Sequence, residues 1–298
     1  MTEGTTPARI PAAGAPGVRP DDARPTVAGR PVGGGPLLRM LPSSSYSGLS
    51  FRLVERSVLL YSRAWLVLVS GVFEPLFYLL AFQVGFSSLI GDVTGPDGRP
   101  MSYVAFVAPA LLVASAMNGA VYETLSIFYK LRFDRLYDAV LATPMGTLDV
   151  AIGEISWAVL RSGLYATAFL GVMAAMGLAT SPWALLLIPT ALLIATAFAA
   201  IGMVCATLLR SSSQFDYIHA VVMPMFLFST TFYPMSVYPS SLRWLVELSP
   251  LYHGIELARG LSAGALDPTM IGHVGFLAVL AAGGLYVASR RIGKLLLS

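Results

Sequence analysis

The side chains best suited to covalent chemistry are scarce in this sequence. It contains three histidines, His219, His253 and His273, and one cysteine, Cys205, all in separate segments of the chain. Metal-dependent hydrolysis often uses a close pair of histidines, as in the H-E-x-x-H pattern, and a bound nucleotide usually needs a G-x-x-x-x-G-K-[ST] phosphate loop. Neither pattern occurs. We therefore expect a chain that is not an enzyme, binds no metal or cofactor itself and has no ATPase site of its own.

Four polar side chains within apolar stretches are the candidates for a substrate path: Glu74, Tyr78, Asn118 and Arg161. Ionisable groups are costly in lipid, so their presence there indicates a specific role. For Glu74 and Arg161 three interpretations stay open: a buried ion pair, a polar path for a substrate, or side chains that extend to the membrane surface. We favour the ion pair because one acid and one base neutralise each other. Simple packing is the alternative for Tyr78 and Asn118.

Composition and the length of the apolar stretches indicate what positions these groups. Of the 298 residues, 56% are hydrophobic and only 12% are charged, against about 25% charged in soluble domains. A helix needs about 20 apolar residues to cross a bilayer. Six stretches reach that length: residues 65–86, 101–122, 155–178, 182–209, 217–237 and 270–289. The sequence therefore predicts an all-α membrane protein with six transmembrane helices and excludes an ordinary soluble enzyme.

The basic residues near these stretches indicate orientation, because Lys and Arg are enriched on the cytoplasmic side of a membrane. If both termini are cytoplasmic, the inner set is Arg52, Arg56, Arg63, Lys130, Arg132, Arg135, Arg210, Arg290, Arg291 and Lys294. The outer set is then only Arg99, Arg243 and Arg259. We therefore expect a multi-pass protein of the cell membrane with both ends inside. The basic residues are too scattered to form a nucleic-acid binding surface.

The segments between the stretches suggest further elements. Residues 1–45 are rich in Pro and Gly and are predicted to be a disordered cytoplasmic tail, whereas residues 46–298 form the membrane domain. Residues 46–63 have the periodicity of an amphipathic helix, which would lie in the membrane interface or extend the first span. Residues 234–268 are apolar although they lie outside, so we expect a re-entrant segment there, with a plain loop as the alternative.

The inner segment of residues 126–145 mixes apolar and charged side chains at helical spacing and reaches Pro144. Proline removes a backbone donor and disrupts a helix interior, so a short helix should end near this residue. A helix of this kind is too polar to cross the bilayer. It therefore needs a protein partner or the membrane surface.

Four blocks of sequence in this order resemble those of ABC-2 type export permeases. They are YVAFVAPALLVASAMNGAVYET at 103–124, LDVAIGEISWAVLR at 148–161, AFAAIGMVCATL at 197–208 and LSPLYHGIELARGL at 248–261. Among these permeases, the chain is most similar to the nodulation-type lipo-oligosaccharide exporters and the daunorubicin-type drug exporters. The resemblance extends over residues 46–298.

The resemblance implies a permease subunit of an ATP-driven exporter that moves an amphipathic substrate, such as a lipo-oligosaccharide, another glycolipid or a lipophilic drug. ATP and Mg would be bound by a separate ATP-binding cassette subunit, and a second permease copy would complete the transporter as a homodimer. The resemblance also implies an ATPase-coupling helix formed by Arg132, Phe133, Arg135, Leu136 and Val140. Alternatives from other classes are a membrane-embedded transferase and a non-transport scaffold or immunity-type membrane protein.

Overall fold

A computed structural model describes the chain over residues 49–63, 65–86, 89–132 and 145–296. Within these ranges the side chains of residues 49, 60–72, 74, 75, 124, 125, 132 and 296 are not described. The predicted tail of residues 1–45 lies outside the described part of the chain, as does the segment 133–144.

The described part of the chain is mostly helical. Its helices are α1 (Leu49–Arg63), α2 (Trp65–Gly85), α3 (Tyr103–Arg132), α4 (Thr147–Ala175), α5 (Leu187–Leu208), α6 (Phe215–Phe228), α7 (Ser240–Glu247), α8 (Pro250–Ala263) and α9 (Thr269–Leu296). Short 3₁₀ turns precede α5, α6 and α7. A two-stranded antiparallel hairpin between α2 and α3 joins β1 (Val93–Thr94) to β2 (Pro100–Met101).

Four described segments are long and apolar enough to cross a membrane: Tyr103–Leu131, Thr147–Ala175, Pro182–Leu208 and Thr269–Leu295. They coincide with the second, third, fourth and sixth predicted stretches, because an uninterrupted apolar run of this length can bury itself only in lipid or in a large core. The first predicted stretch is occupied by α2, whose apolar part is described over Leu76–Gly85. The protein is an integral membrane protein built around these helices.

The fifth predicted stretch differs from the structure. Its helix α6 has 14 residues and ends at Phe228 rather than at residue 237. At 1.5 Å per residue such a helix spans about 21 Å, less than the roughly 30 Å of a hydrocarbon core. The chain turns just beyond, where Thr230 has a φ of 60°. The count of six membrane spans therefore stays a prediction. The predicted end of the fifth stretch at residue 237 was wrong for its helix, which ends at Phe228.

Helices α3 and α5 form the centre of the bundle, and both bury several small residues. Ala108, Ala116 and Ala120 of α3 are fully buried, as are Ala191 and Ala195 of α5. Small side chains let helix backbones approach closely, which is how helices in lipid gain packing energy. The remaining long helices and α8 pack around this centre.

Helix α1 packs on α4 through one close contact. Leu53 is buried against Gly153, and a Cβ at Gly153 would lie 2.9 Å from Leu53 Cδ1 and 3.0 Å from the backbone oxygen of Ser50. Phe51 and Leu59 on the other side of α1 are exposed. Exposed apolar side chains beside basic ones fit an interfacial helix, and that assignment stays a prediction.

Replacing Gly153 with alanine should loosen α1 from α4. The added methyl group overlaps both a side chain and a backbone oxygen of α1, so we expect destabilisation of about 1–3 kcal/mol. Thermal unfolding of the purified protein in detergent measures the effect. Gly171→Ala is the matched control, because Gly171 lies on the same helix with open space around its Cβ position. Equal unfolding temperatures for the two variants would contradict the prediction.

Candidate functional site

The end of α3 and the start of α4 flank the segment to which the family resemblance assigns ATPase coupling. Helix α3 continues to Arg132, and α4 begins at Thr147. The start of α4 is fixed by Asp149, whose Oδ2 accepts a hydrogen bond of 3.0 Å from the backbone N–H of Gly146. A carboxylate in the first turn also interacts favourably with the helix dipole. Helix α4 thus begins well before the predicted boundary at residue 155.

The predicted coupling residues fall at the edge of the described chain. Arg132 is the last residue of α3, and its side chain is not described. Phe133, Arg135, Leu136 and Val140 lie outside the described residues. Their role in coupling therefore stays a prediction, and the described geometry bears on the two helices that present them.

Two buried ion pairs join α3 to α4 close to this segment. Lys130 Nζ lies 2.7 Å from Glu154 Oε2, and Arg161 Nη1 lies 2.5 Å from Glu123 Oε2. The carboxylate side chains are only 3% and 2% exposed, and the basic side chains are 16% and 14% exposed. Each carboxylate is thus held away from water beside a cation, which is the condition under which a buried charge is tolerated.

The pair of Arg161 with Glu123 is extended by hydrogen bonds. Arg161 Nε donates to the Tyr165 hydroxyl at 2.8 Å, and its guanidinium carbon lies 5.4 Å from the centroid of the Tyr165 ring. On α3, the Ser126 hydroxyl contacts Glu123 Oε1 at 3.4 Å. These contacts fix the orientation of the guanidinium and of the carboxylate within the helix interface.

Sequence reasoning expected Glu74 to be the acid that pairs with Arg161. In the structure Arg161 pairs with Glu123, which lies one residue beyond the second predicted stretch. The side chain of Glu74 is not described, so its own contacts remain a prediction. Spacing could have revealed the observed partner, because Glu123 and Lys130 are separated by the same seven residues as Glu154 and Arg161.

The other two predicted path residues lie on neighbouring helices. Tyr78 is exposed on α2, and Asn118 is half-buried on α3. An exposed tyrosine on a membrane helix and a half-buried amide are both compatible with a substrate path and with simple packing. The substrate-path assignment of these two residues stays a prediction.

The outer segment is built from two short helices with different environments. Helix α8 is largely buried within the bundle, whereas Trp244 and Leu245 of α7 are 63% and 53% exposed. Gly254 lets α8 approach its neighbours, since a Cβ there would lie 2.5 Å from Ile194 Cδ1 and 3.0 Å from Val113 Cγ1. Both helices of this segment are short, with 8 and 14 residues. Re-entry into the membrane stays a prediction.

Arg259 of α8 is the most deeply buried basic side chain among those described. Its Nε donates to the Phe106 backbone oxygen at 3.1 Å, and its Nη2 donates to the backbone oxygens of Thr230, at 2.5 Å, and Thr231, at 3.1 Å. Nη1 lies 3.2 Å from Glu256 Oε1, and the guanidinium carbon lies 3.6 Å from the centroid of the Phe106 ring. One side chain therefore connects α8, α3 and the turn after α6.

Sequence reasoning placed Arg259 in the outer set of basic residues and did not predict its buried contacts. Burial lowers the pKa of Arg259 to about 10, and the neighbouring carboxylate of Glu256 opposes that shift. The guanidinium therefore remains charged at neutral pH. Its carbonyl partners come from distant segments, so no local pattern marks it.

Two histidines meet at the contact of α8 with α9. His253 Nδ1 and His273 Nδ1 are 2.7 Å apart, so one ring donates a hydrogen bond to the other. The ring of His253 also stacks on Phe276, with 4.0 Å between ring centroids. Burial, followed by the proximity of His273, lowers the pKa of His253, which favours a neutral ring.

Among the described residues, the sequence patterns typical of catalytic sites do not have the geometry that catalysis requires. The sequence contains one G-x-S-x-G pattern, at residues 260–264, but it lies at the end of α8 with Ser262 buried, and not on the strand-to-helix turn that exposes a nucleophile. Among the described residues no three His, Cys, Asp or Glu side chains are grouped to hold a metal ion.

Comparisons with known proteins agree with this architecture. Nodulation protein J of Rhizobium leguminosarum bv. viciae is 30% identical over 238 residues, covering 78% of this chain and 89% of the relative. Nodulation protein J of R. leguminosarum bv. trifolii is 31% identical over 244 residues, covering 80% of this chain and 90% of the relative. The inner membrane transport permease YadH of Escherichia coli (strain K12) is 25% identical over 226 residues, covering 74% of this chain and 84% of that protein.

A family model covers most of the described bundle. Residues 49–262 match the model of the ABC-2 type transporter, from the start of α1 almost to the end of α8. The match includes both ion-paired helices and the buried arginine, and it confirms the resemblance drawn from the four sequence blocks. The chain belongs to the ABC-2 type transporter family.

Proposed function

We propose that this chain is the membrane permease subunit of an ATP-driven exporter that moves an amphipathic substrate out of the cytoplasm. ATP and Mg would be bound by a separate ATP-binding cassette subunit, because the sequence has no phosphate loop of its own. The observation that supports the proposal is a bundle of apolar helices in which two long helices, α3 and α4, flank a stretch of sequence, residues 133–144, that mixes charged and apolar side chains.

Placement of that loop supports a role in contacting the ATPase. A segment rich in both charged and apolar side chains, bounded by two membrane-length helices, must lie at the membrane surface. A force applied there acts directly on α3, which runs through the centre of the bundle. Coupling in this scheme is differential binding: the loop fits the nucleotide-bound and nucleotide-free states of the ATPase with different free energies.

Substrate chemistry is inferred from the outer end of the bundle. Helix α7 and the residue that follows it expose Trp244, Leu245 and Leu248 on the side where the substrate would leave. Aromatic and aliphatic side chains at the membrane interface suit a cargo with an apolar part. A glycolipid, a lipo-oligosaccharide or a lipophilic drug has this character. Glu74, Tyr78 and Asn118 are then the first residues to test for effects on substrate choice.

The proposal also includes assembly and orientation. A second copy of the chain would complete the transporter, both termini would lie in the cytoplasm and the host membrane would be the inner membrane. Tags placed at the two ends should show the same accessibility in intact cells and in permeabilised cells. Tags on opposite faces would contradict the arrangement. The alternative of a non-transport scaffold or immunity-type protein predicts no association with an ATPase.

Charge reversal in the loop tests the function directly. The double variant Arg132→Glu with Arg135→Glu reverses the charges that the family resemblance assigns to contacts with the ATPase, so export should fall about tenfold or more while the amount of folded protein stays the same. Export of a fluorescent lipophilic dye from cells and the ATPase rate of the purified complex measure the effect.

Arg56→Glu with Arg210→Glu is the matched control, since both arginines are exposed on other inner segments. The control should keep its export and its ATPase rate. Unchanged export in the loop variant would contradict the coupling assignment. Failure of the unmodified chain to associate with any ATP-binding cassette subunit would contradict the transporter proposal itself.

A further inference from the structure

We propose that two ion pairs between α3 and α4 position the loop of residues 133–144 by holding its flanking helices together as one unit. The inference rests on the proposed function, since it concerns how this chain passes a force from the ATPase to the bundle. The residues concerned are Glu123, Lys130, Glu154 and Arg161. They act as positioning residues for the loop.

The spacing of the four charges matches the geometry of two antiparallel helices. Glu123 and Lys130 are seven residues apart on α3, and Glu154 and Arg161 are seven residues apart on α4. Seven residues make about two helical turns, so each pair of charges lies on one face. The order of acid and base along the chain is the same in both helices, and because the helices are antiparallel each acid meets a base.

This arrangement permits one register only. If α4 moved by two turns relative to α3, either Glu123 would face Glu154 or Lys130 would face Arg161. Like charges in a buried interface repel strongly, and a smaller shift leaves charges without partners. The ion pairs therefore define the register of the two helices, a role for which buried polar groups are best attested.

The two ion pairs are buried and lie near the end of α3 and the start of α4, so the fixed register acts on the helix ends that flank the loop. The carboxylates of Glu123 and Glu154 are almost completely buried, so separating the helices would expose an unpaired charge to the helix interface. Lys130 lies two residues before the end of α3, and Glu154 lies on the second turn of α4. The two ends of the loop consequently move together rather than independently.

The test uses the full chain in complex with its ATP-binding cassette subunit in lipid nanodiscs, with Mg-ATP as the only ligand. The measured quantity is the increase in ATPase rate that the permease produces. In Lys130→Met with Glu154→Gln, the pair becomes neutral while side-chain volume is kept. We expect the complex to assemble and the increase in rate to fall about tenfold. Exchanging the charges, in Lys130→Glu with Glu154→Lys, should restore most of the increase.

The matched control is the exposed ion pair of α1. Arg52 Nη1 lies 2.9 Å from Glu55 Oε2, and these side chains are 73% and 48% exposed. Arg52→Met with Glu55→Gln removes an ion pair without touching the α3–α4 contact. The control should leave the ATPase rate unchanged. A comparable loss in this variant would overturn the assignment of the effect to α3 and α4.

A covalent cross-link between α3 and α4 tests whether the ion pair acts by positioning the two helices or only by stabilising the fold. In a Cys205→Ser background, Lys130→Cys with Glu154→Cys can be joined by a short bis-thiol reagent after the complex has formed. The unlinked complex should show the reduced ATPase increase, and the linked complex should regain it. A linked complex that stays inactive would overturn the proposal, because it would show that the helices must separate. Full activity of the neutral or unlinked variant would overturn it as well.

Failure of the proposed function gives a different result. If the unmodified chain neither binds a cassette subunit nor raises its ATPase rate, the transporter proposal fails, and with it the inference that rests on it. If the unmodified chain raises the rate and the neutral pair does so equally, only the positioning role is excluded. Loss of activity in exact proportion to loss of assembled complex would also exclude it.

Discussion

Arg259→Ala is expected to destabilise the protein by about 3–5 kcal/mol, because it leaves several buried backbone acceptors without this donor, at about 1–3 kcal/mol for each. The substitution removes a fully buried guanidinium that donates to the backbone oxygens of Phe106, Thr230 and Thr231. These oxygens would remain buried without this donor, and each such loss adds a desolvation penalty. Unfolding of the purified protein in mixed detergent micelles, followed by tryptophan fluorescence, measures the free energy.

Two variants identify the origin of this effect. Arg243→Ala is the matched control, because Arg243 also donates to a backbone oxygen, that of Tyr238 at 3.0 Å, but is exposed. It should cost less than about 1 kcal/mol, as expected for an exposed contact. Arg259→Lys keeps the charge but cannot reproduce the planar array of donors, so it should recover only part of the stability. Equal effects of Arg259→Ala and Arg243→Ala would contradict the anchoring role.

Arg161→Met should also destabilise the protein strongly, by about 3–5 kcal/mol, because it leaves the carboxylate of Glu123 buried without its cation. Adding Glu123→Leu should recover most of that loss, since a buried ion pair replaced by apolar side chains of similar volume is often nearly neutral in stability. The same unfolding measurement, applied to both single variants and the double variant, gives the interaction energy of the pair.

This pattern distinguishes a buried pair from a mere surface contact. For an exposed pair such as Arg52 with Glu55, all three variants should lie within about 1 kcal/mol of the unmodified chain. A double variant of Glu123 and Arg161 as unstable as Arg161→Met would show that the charges are not each other's main partners. It would leave the contacts of Arg161 with Tyr165 as the source of stability.

The membrane helices could be predicted from sequence because length and apolarity act locally. Residues 182–209 contain no charge, and the structure has a 3₁₀ turn and α5 over almost the same positions. The end of α6 could not be predicted in this way. The apolar run continues past Phe228, but the chain turns there, and Arg259 from a distant helix binds the carbonyl groups of that turn.

The partners of charged residues required tertiary information. Apolar periodicity shows which face of a helix is buried, but it does not identify the neighbouring helix. For that reason Glu74 was a reasonable candidate as the partner of Arg161. The seven-residue spacing of Glu123 and Lys130, which repeats that of Glu154 and Arg161, was overlooked. The family resemblance directed attention to residues 132–140 as the coupling element, an assignment that stays a prediction. It did not show that the helices on either side of it are tied together.

The ion-paired helices also have a consequence for biosynthesis. Helix α3 leaves the ribosome before α4, so for a time Glu123 and Lys130 have no counter-charges from the later segment. Placing an ionised side chain alone in lipid is unfavourable. Entry of α3 and α4 into the bilayer as a preformed hairpin would avoid that cost.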